Sequence, residues 1–429
     1  MKRFVFALSL VFISNLSFTQ SNLIAGPMLG HIDMLEANIW VATAVGSNVE
    51  LQYREKGSTQ EFQVVSAFTS GKLYPTATLK AFPLEPGVEY EYSVSVNGRK
   101  EMDLYYFKTE PLWQYRTDPP AFSVALGSCA FLNEEKYDRP GKSYGSNYEI
   151  FDQIALKKPD MMLWMGDNIY LREVDFESTA AIERRYMLFR SNPALKKLWP
   201  ACAHYAIWDD HDFGPNDSNS SYVFKKHTLS AFEKFWVNPP AALNDGITTQ
   251  FSYGDADFFL LDNRYFRTDA KSVYVDRTLL GEEQLKWLFL ALSTSKAQYK
   301  FVVMGGQFLN SADKFENYAT YPEERQLILD FIEKSKMQNV IFLTGDRHCT
   351  ELSQVILPNE IVVYDLTVSP LTSGAYDNSK EANSNRVEGT IVSQQNFGVL
   401  EFSGPLKNRL LEIKIFNSKG EEMWSRQIK

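Results

Sequence analysis

The sequence predicts a small antiparallel β-sandwich followed by a larger α/β domain. Apolar and polar residues alternate at period two from Asn22 to about Thr109, the pattern breaks after Pro111 and at Asp118-Pro119-Pro120, and apolar runs of strand length then alternate with amphipathic stretches. A chain of 429 residues exceeds the usual size of one core, which agrees with two domains.

The N-terminus reads Met1-Lys2-Arg3, an apolar run at 4–13, then small or polar residues up to Thr19-Gln20. This is the layout of a signal peptide, so residues 1–19 are expected to be cleaved and the mature chain exported, periplasmic or secreted. The run is short for a bilayer span and carries no lipid-accepting cysteine at its end, so no stable membrane anchor is expected. Residues 20–112 form the expected sandwich, with strands marked by Val49, Leu51 and Tyr53 and by Tyr90, Tyr92, Val94 and Val96. The Glu85-Pro86-Gly87 turn before alternating tyrosines resembles the tyrosine corner of fibronectin III and immunoglobulin-like sandwiches.

Residues 113–429 form the expected α/β domain. Strands are predicted at 122–126, 161–165, 205–208, 258–261, 301–304, 340–343 and 361–366, and helices at 147–157, 179–190, 224–237, 282–292 and 322–336. The polar segment 376–395 reads as a long surface loop, and 398–429 supplies closing strands at 398–402 and 410–416. A formal charge of −9 without clustered Lys and Arg argues against a nucleic-acid partner. Three cysteines, Cys129, Cys202 and Cys349, leave at least one unpaired; a bridge between Cys202 and Cys349 has no support in the sequence, and a small buried side chain is the default role for each.

Chemistry in open α/β sheets collects beyond the carboxyl ends of the strands. Here those ends read Gly127-Ser128-Cys129, Gly166-Asp167-Asn168-Ile169-Tyr170, Asp209-Asp210-His211-Asp212, Asp262-Asn263-Arg264, Gly305-Gly306-Gln307 and Gly345-Asp346-Arg347-His348. Residues 208–217 alone hold four carboxylates, a histidine and Asn216 with no Lys or Arg, a crowding that a bound cation relieves. Taken singly, each has a plain explanation: an Asp caps a helix or closes a turn, Tyr170 packs, and Asp262 pairs with Arg264. Six strand ends of the same character are poorly explained by capping.

In this order the motifs resemble the PhoD-type alkaline phosphatases, a branch of the calcineurin-like metallophosphoesterases, over nearly the whole mature chain. The resemblance implies a four-layer α/β/β/α sandwich with metals at the meeting strand ends. It implies that Asp167 bridges two metals and that Cys129, Tyr170 and His348 complete a ferric iron site, which suits thiolate and phenolate. It places Asp210, Asn216 and Asp346 on a calcium, with other divalent ions admitted, and Asp209 as a further ligand or an orienting group. His211 is implied to face substrate and protonate the leaving oxygen, and Arg264 is placed to hold a phosphate oxygen in its fork. Gln307 is left open between ligand, donor to substrate and loop residue. The implied activity is hydrolysis of small phosphomonoesters or phosphodiesters by a metal-activated water. Asn168, Leu171 and Asp212 depart from the family's usual residues around these motifs, which touches the pocket wall more than the ligand set. A different class, a calcium-stabilised binding or adhesion protein, accounts for the acidic loops but not for Cys129, Tyr170, His211 and Arg264.

Overall fold

The protein, as a computed structural model, is described over residues 22–100 and 103–428; the expected signal peptide lies outside the described residues. Strands β1 (Leu23–Ile32), β2 (Ala37–Thr43), β3 (Asn48–Glu55), β4 (Gln63–Phe68), β5 (Thr76–Ala81), β6 (Glu89–Val96), β7 (Arg99–Lys100) and β8 (Tyr105–Lys108) form two antiparallel sheets, ordered β1-β2-β5 and β4-β3-β6-β7, with β8 also on β6. Alternation in β3 buries Val49, Leu51 and Tyr53 on one face. The tyrosine corner closes as its motif implies, with the Glu85 N–H donating to the Tyr90 hydroxyl at 2.8 Å.

The α/β region contains β9 (Phe122–Gly127), α1 (Glu149–Leu156), β10 (Met161–Met165), α2 (Thr179–Arg190), β11 (Ala203–Ile207), α3 (Asp210–Phe213), α4 (Lys225–Phe235), β12 (Thr249–Tyr253), β13 (Ala256–Leu260), α5 (Glu282–Thr294), β14 (Tyr299–Val303), α6 (Pro322–Lys334), β15 (Val340–Thr344), β16 (Glu351–Ile356), β17 (Val362–Thr367), β18 (Asn396–Ser403), β19 (Leu410–Asn417) and β20 (Glu422–Ile428). They build two six-stranded mixed sheets, ordered β11-β10-β9-β18-β19-β20 and β12-β13-β14-β15-β17-β16. The sheets meet through aromatic contacts: Tyr205 stacks on Phe251 at 3.8 Å between ring centres and Phe122 meets Tyr253 at 5.0 Å. The pleat of the second sheet sorts its residues, so that Phe258, Leu260, Phe301 and Val303 join the inter-sheet core while Phe259, Val302 and Phe342 pack with Leu288 of α5 and Ile328 and Ile332 of α6. On the outer side of the first sheet, Trp164 meets Phe151 of α1 and Phe189 of α2. The result is the expected four-layer α/β/β/α arrangement, preceded by the sandwich.

The unexpected strands β12, β16 and β20 all lie at sheet edges. An edge strand carries polar residues that blunt further pairing, which removes the apolar run by which central strands announce themselves. The loop at 376–395 also differs from expectation. Its polar groups are taken up internally, Glu381 pairing with Arg347 at 2.6 Å and Arg386 with buried Glu351, and Thr390 and Val392 are buried. All three cysteines are free and buried, so Cys202 and Cys349 form no bridge.

The sandwich is docked firmly on the α/β domain. The Leu29 N–H donates to the Trp199 carbonyl at 3.0 Å and the Trp40 indole N–H to the Lys234 carbonyl at 2.9 Å. Buried Arg190 of α2 lies 5.8 Å from the Trp40 ring centre. Among the described residues, no helix is long and apolar enough to cross a membrane.

Candidate metal centre

The ends of β9, β10, β11 and β15 deliver Cys129, Asp167, Asp209-Asp210 and Asp346-Arg347-His348 to one place. At four of these residues the backbone turns left-handed, with φ of 58° at Cys129, 52° at Asp167, 65° at Asp346 and 52° at His348. Each such non-glycine residue costs on the order of 1–3 kcal/mol, so the recurrence marks turns imposed by the site. The glycines at the end of β14 have a spatial reason, since a Cβ on Gly305 would collide with the Asp209 carboxylate.

Asp167 occupies the middle. Its Oδ2 accepts from the Tyr170 hydroxyl at 3.1 Å and lies 3.6 Å from the Cys129 Sγ; its Oδ1 accepts from the His211 backbone N–H at 3.3 Å. Cys129, Asp167 and His348 each offer a ligand atom to one small volume, as do Asp167, Asp210 and His211, and Asp209, Asp210 and Asp346. Asp167 belongs to two of these groups and Asp210 to two. His348 is held by its far nitrogen: Nδ1 lies 2.6 Å from the Gly374 carbonyl, while Nε2 faces the Tyr170 hydroxyl at 3.4 Å. Such a hydrogen bond fixes the tautomer that presents a free Nε2.

The electrostatics favour a cation. Burial first, then Asp210, Asp209, Asp212 and Asp346, holds the Asp167 carboxyl well above the ordinary carboxylate range, and burial with Asp209 and Glu316 does the same at Asp346. Burial and Asp167 raise both the Cys129 thiol and the Tyr170 phenol, and burial lowers His348 to about 4. Asp210 is the exception: burial pushes it up, but His211 and Arg264 outweigh burial and hold it below its ordinary value. Asp209 Oδ2 and Asp210 Oδ1 are buried without a hydrogen-bond partner. Orphaned carboxylate oxygens beside a thiol, a phenol and a free imidazole nitrogen fit metal ions in donor type, oxygen on one side and mixed sulfur, nitrogen and oxygen on the other.

One expectation is corrected. Arg264, read as a phosphate fork, is fully buried, and its guanidinium is taken up by Asp209 and by both oxygens of Glu316. Gln307, whose role the sequence left open, is buried and fully engaged within the protein: its amide nitrogen donates to Glu351 at 2.7 Å and Thr367 at 2.8 Å, and its oxygen accepts from Arg347 at 2.9 Å. Asp209 is gripped by Arg264 and by the Asn263 amide at 2.7 Å, leaving one oxygen for the centre. Asp212 accepts from the backbone N–H groups of Asn168, Ile169 and Asp209 at 3.1–3.3 Å, tying the β10 and β11 turns together.

The centre opens into a cleft of about 1400 Å³ whose walls include Asp167, Asp210, His211, Asn216, Asp346 and His348. The His211 ring packs against Tyr170, with ring centres 4.3 Å apart and planes tilted at 32°. Asn216 and Asp217 are exposed on the cleft side, and the Asp217 N–H donates to Asp210 at 2.9 Å. Sequence reasoning missed Tyr144, whose hydroxyl stands 3.0 Å from His348 Nδ1, and Arg267, paired with Glu316 at 2.6 Å. Both sit in irregular polar segments whose composition carries no signal.

Comparison with known proteins agrees with this architecture. The family described as PhoD-like phosphatase matches residues 125–409, and a domain of unknown function (DUF7800) matches residues 20–111. Alkaline phosphatase D of Bacillus subtilis (strain 168) is 25% identical over 365 residues, covering 71% of this chain and 62% of the relative, so the match spans less than two thirds of that protein. The solved structure of PhoD superposes with a TM-score of 0.76 at 18% identity, covering 96% of this chain and 93% of that one. Purple acid phosphatase PPD1 from yellow lupin (Lupinus luteus) seeds superposes with a TM-score of 0.70 at 14% identity, covering 94% and 74%.

Proposed function

The chain belongs to the PhoD-like phosphatase family, and from that premise we propose that it is an exported, metal-dependent phosphoric ester hydrolase acting on small phosphomonoesters, phosphodiesters or both. The observation that carries this reading is Asp167, whose two oxygens face two adjoining donor groups at the wall of one cleft. Cys129, Tyr170 and His348 would hold ferric iron with Asp167, and Asp210, Asn216 and Asp346 would hold calcium, with Asp209 in support. Bound there, the metals would supply charge neutralisation for the phosphoryl oxygens and would lower the pKa of a bound water.

The remaining steps belong to the chain. His211, packed against Tyr170 at the cleft wall, is assigned to protonating the leaving oxygen. Arg264, shut away from the cleft, holds the Asp209 carboxylate in place. Lys271 and Lys314, both exposed, line the cleft and draw an anionic ester toward an acidic centre. Export rests on the N-terminal Met1-Lys2-Arg3 and the apolar run after it. The test is turnover of p-nitrophenyl phosphate and of its bis ester by purified protein, with and without a chelator. Chelator-sensitive hydrolysis of at least one ester is expected; metal-replete protein inert on both overturns the reading.

A further inference from the structure

The segment between β14 and α6 holds a large apolar side chain out in the cleft. Phe315 is 75% exposed, and its φ of 51° is a conformation that a bulky residue rarely takes. The next residue explains the turn: Glu316 is buried, held on both oxygens by Arg264 and again by Arg267 at 2.6 Å. The chain is thus pinned at Glu316, and Phe315 is turned outward beside Lys314. On its inner side the Phe315 ring centre lies 5.0 Å from the Arg347 guanidinium. Tyr376, 53% exposed, lies nearly parallel to the His348 imidazole, with ring centres 5.2 Å apart and planes at 14°. Arg347 and His348 are consecutive, so two exposed aromatic rings rest on neighbouring side chains at the end of β15, and both line the cleft that contains Asp167 and Asp210.

Exposed aromatic faces at a metal-type centre call for a partner that covers them. We infer that Phe315 and Tyr376 form a stacking subsite for a planar aromatic group carried by the phosphate ester, and that the substrate class is a nucleoside phosphate ester. This rests on the hydrolase reading above. An acyl chain would find no continuous apolar floor, because Asp313, Lys314, Asp377 and Asn378 flank the rings along the cleft. Those same groups match a nucleoside: the carboxylates and the amide oxygen accept from ribose hydroxyls and base amino groups, and Lys314 meets additional negative charge.

The test is steady-state kinetics with adenosine 5′-monophosphate and glycerol phosphate, each offered as monoester and as methyl diester, on the full chain and on Phe315→Ala and Phe315→Trp. Wild-type protein should prefer the adenosine ester by roughly tenfold or more in kcat/KM. Phe315→Ala should raise KM for the adenosine ester by roughly that factor and leave glycerol phosphate unchanged, and Phe315→Trp should restore the preference. Equal rates on both esters, or an equal effect of Phe315→Ala on both, overturns the inference while leaving the hydrolase reading standing. Failure of metal-replete protein to turn over any of the esters overturns both.

Discussion

Arg264 grips both carboxylate oxygens of Glu316 in a pair closed to solvent, and the same guanidinium reaches Asp209. One fixed positive charge therefore joins the acidic turn after β11 to the segment that carries Phe315. Replacing Arg264 by Met takes the guanidinium from buried Asp209 and leaves Glu316 with Arg267 alone, and a loss of about 3–5 kcal/mol in stability is expected by urea unfolding, with a fall in bound metal. A variant that unfolds like wild type and differs only in KM would mean that Arg264 serves the substrate instead.

Cys129 and Tyr170 flank the same Asp167 oxygen. On the proposed ligand set, ferric iron held by a thiolate and a phenolate at that position would give the purified protein a visible charge-transfer band. Cys129→Ser and Tyr170→Phe should each shift or bleach the band, and metal analysis should show reduced iron. Identical spectra in wild type and both variants would remove these residues from the iron site.

Glu110, at the junction of the sandwich with the α/β domain, is buried and accepts from the Gly254 N–H at 2.9 Å; burial pushes its carboxyl from 4.5 up to about 7. The folded protein thus holds this proton more tightly than the unfolded chain. The contribution to stability is fully present below the unfolded value and is lost as pH rises through about 7. Glu110→Gln keeps an acceptor and removes the charge, so it should gain about 1–3 kcal/mol over wild type near pH 8 and little near pH 4, as read from unfolding at the two pH values. A variant less stable than wild type at the higher pH would contradict this assignment.

The sequence was legible where burial is strongest. Central strands such as β10 and β15 are continuous apolar runs, and their ends carry Asp167 and His348 in recognisable motifs. Edge strands β12, β16 and β20 were not legible, because pairing on one side only leaves their composition mixed. The acidic run at 208–217 divides by geometry that spacing alone does not encode: Asp210 faces the centre, Asp212 turns back to tie two loops, and Asp217 stands at the rim. Arg264 misled because its partner Glu316 lies 52 residues away in a segment with no motif. Tyr144 and Phe315 gain meaning only from the side chains they meet across the fold.

Asp167 stands between both proposed metal positions. Metal content and ester turnover should be measured together in purified Asp167→Ala, with circular dichroism to establish that the fold is kept. A folded protein that loses hydrolysis and most of its bound metal is expected. An Asp167→Ala protein that keeps full metal and full rate would contradict this expectation.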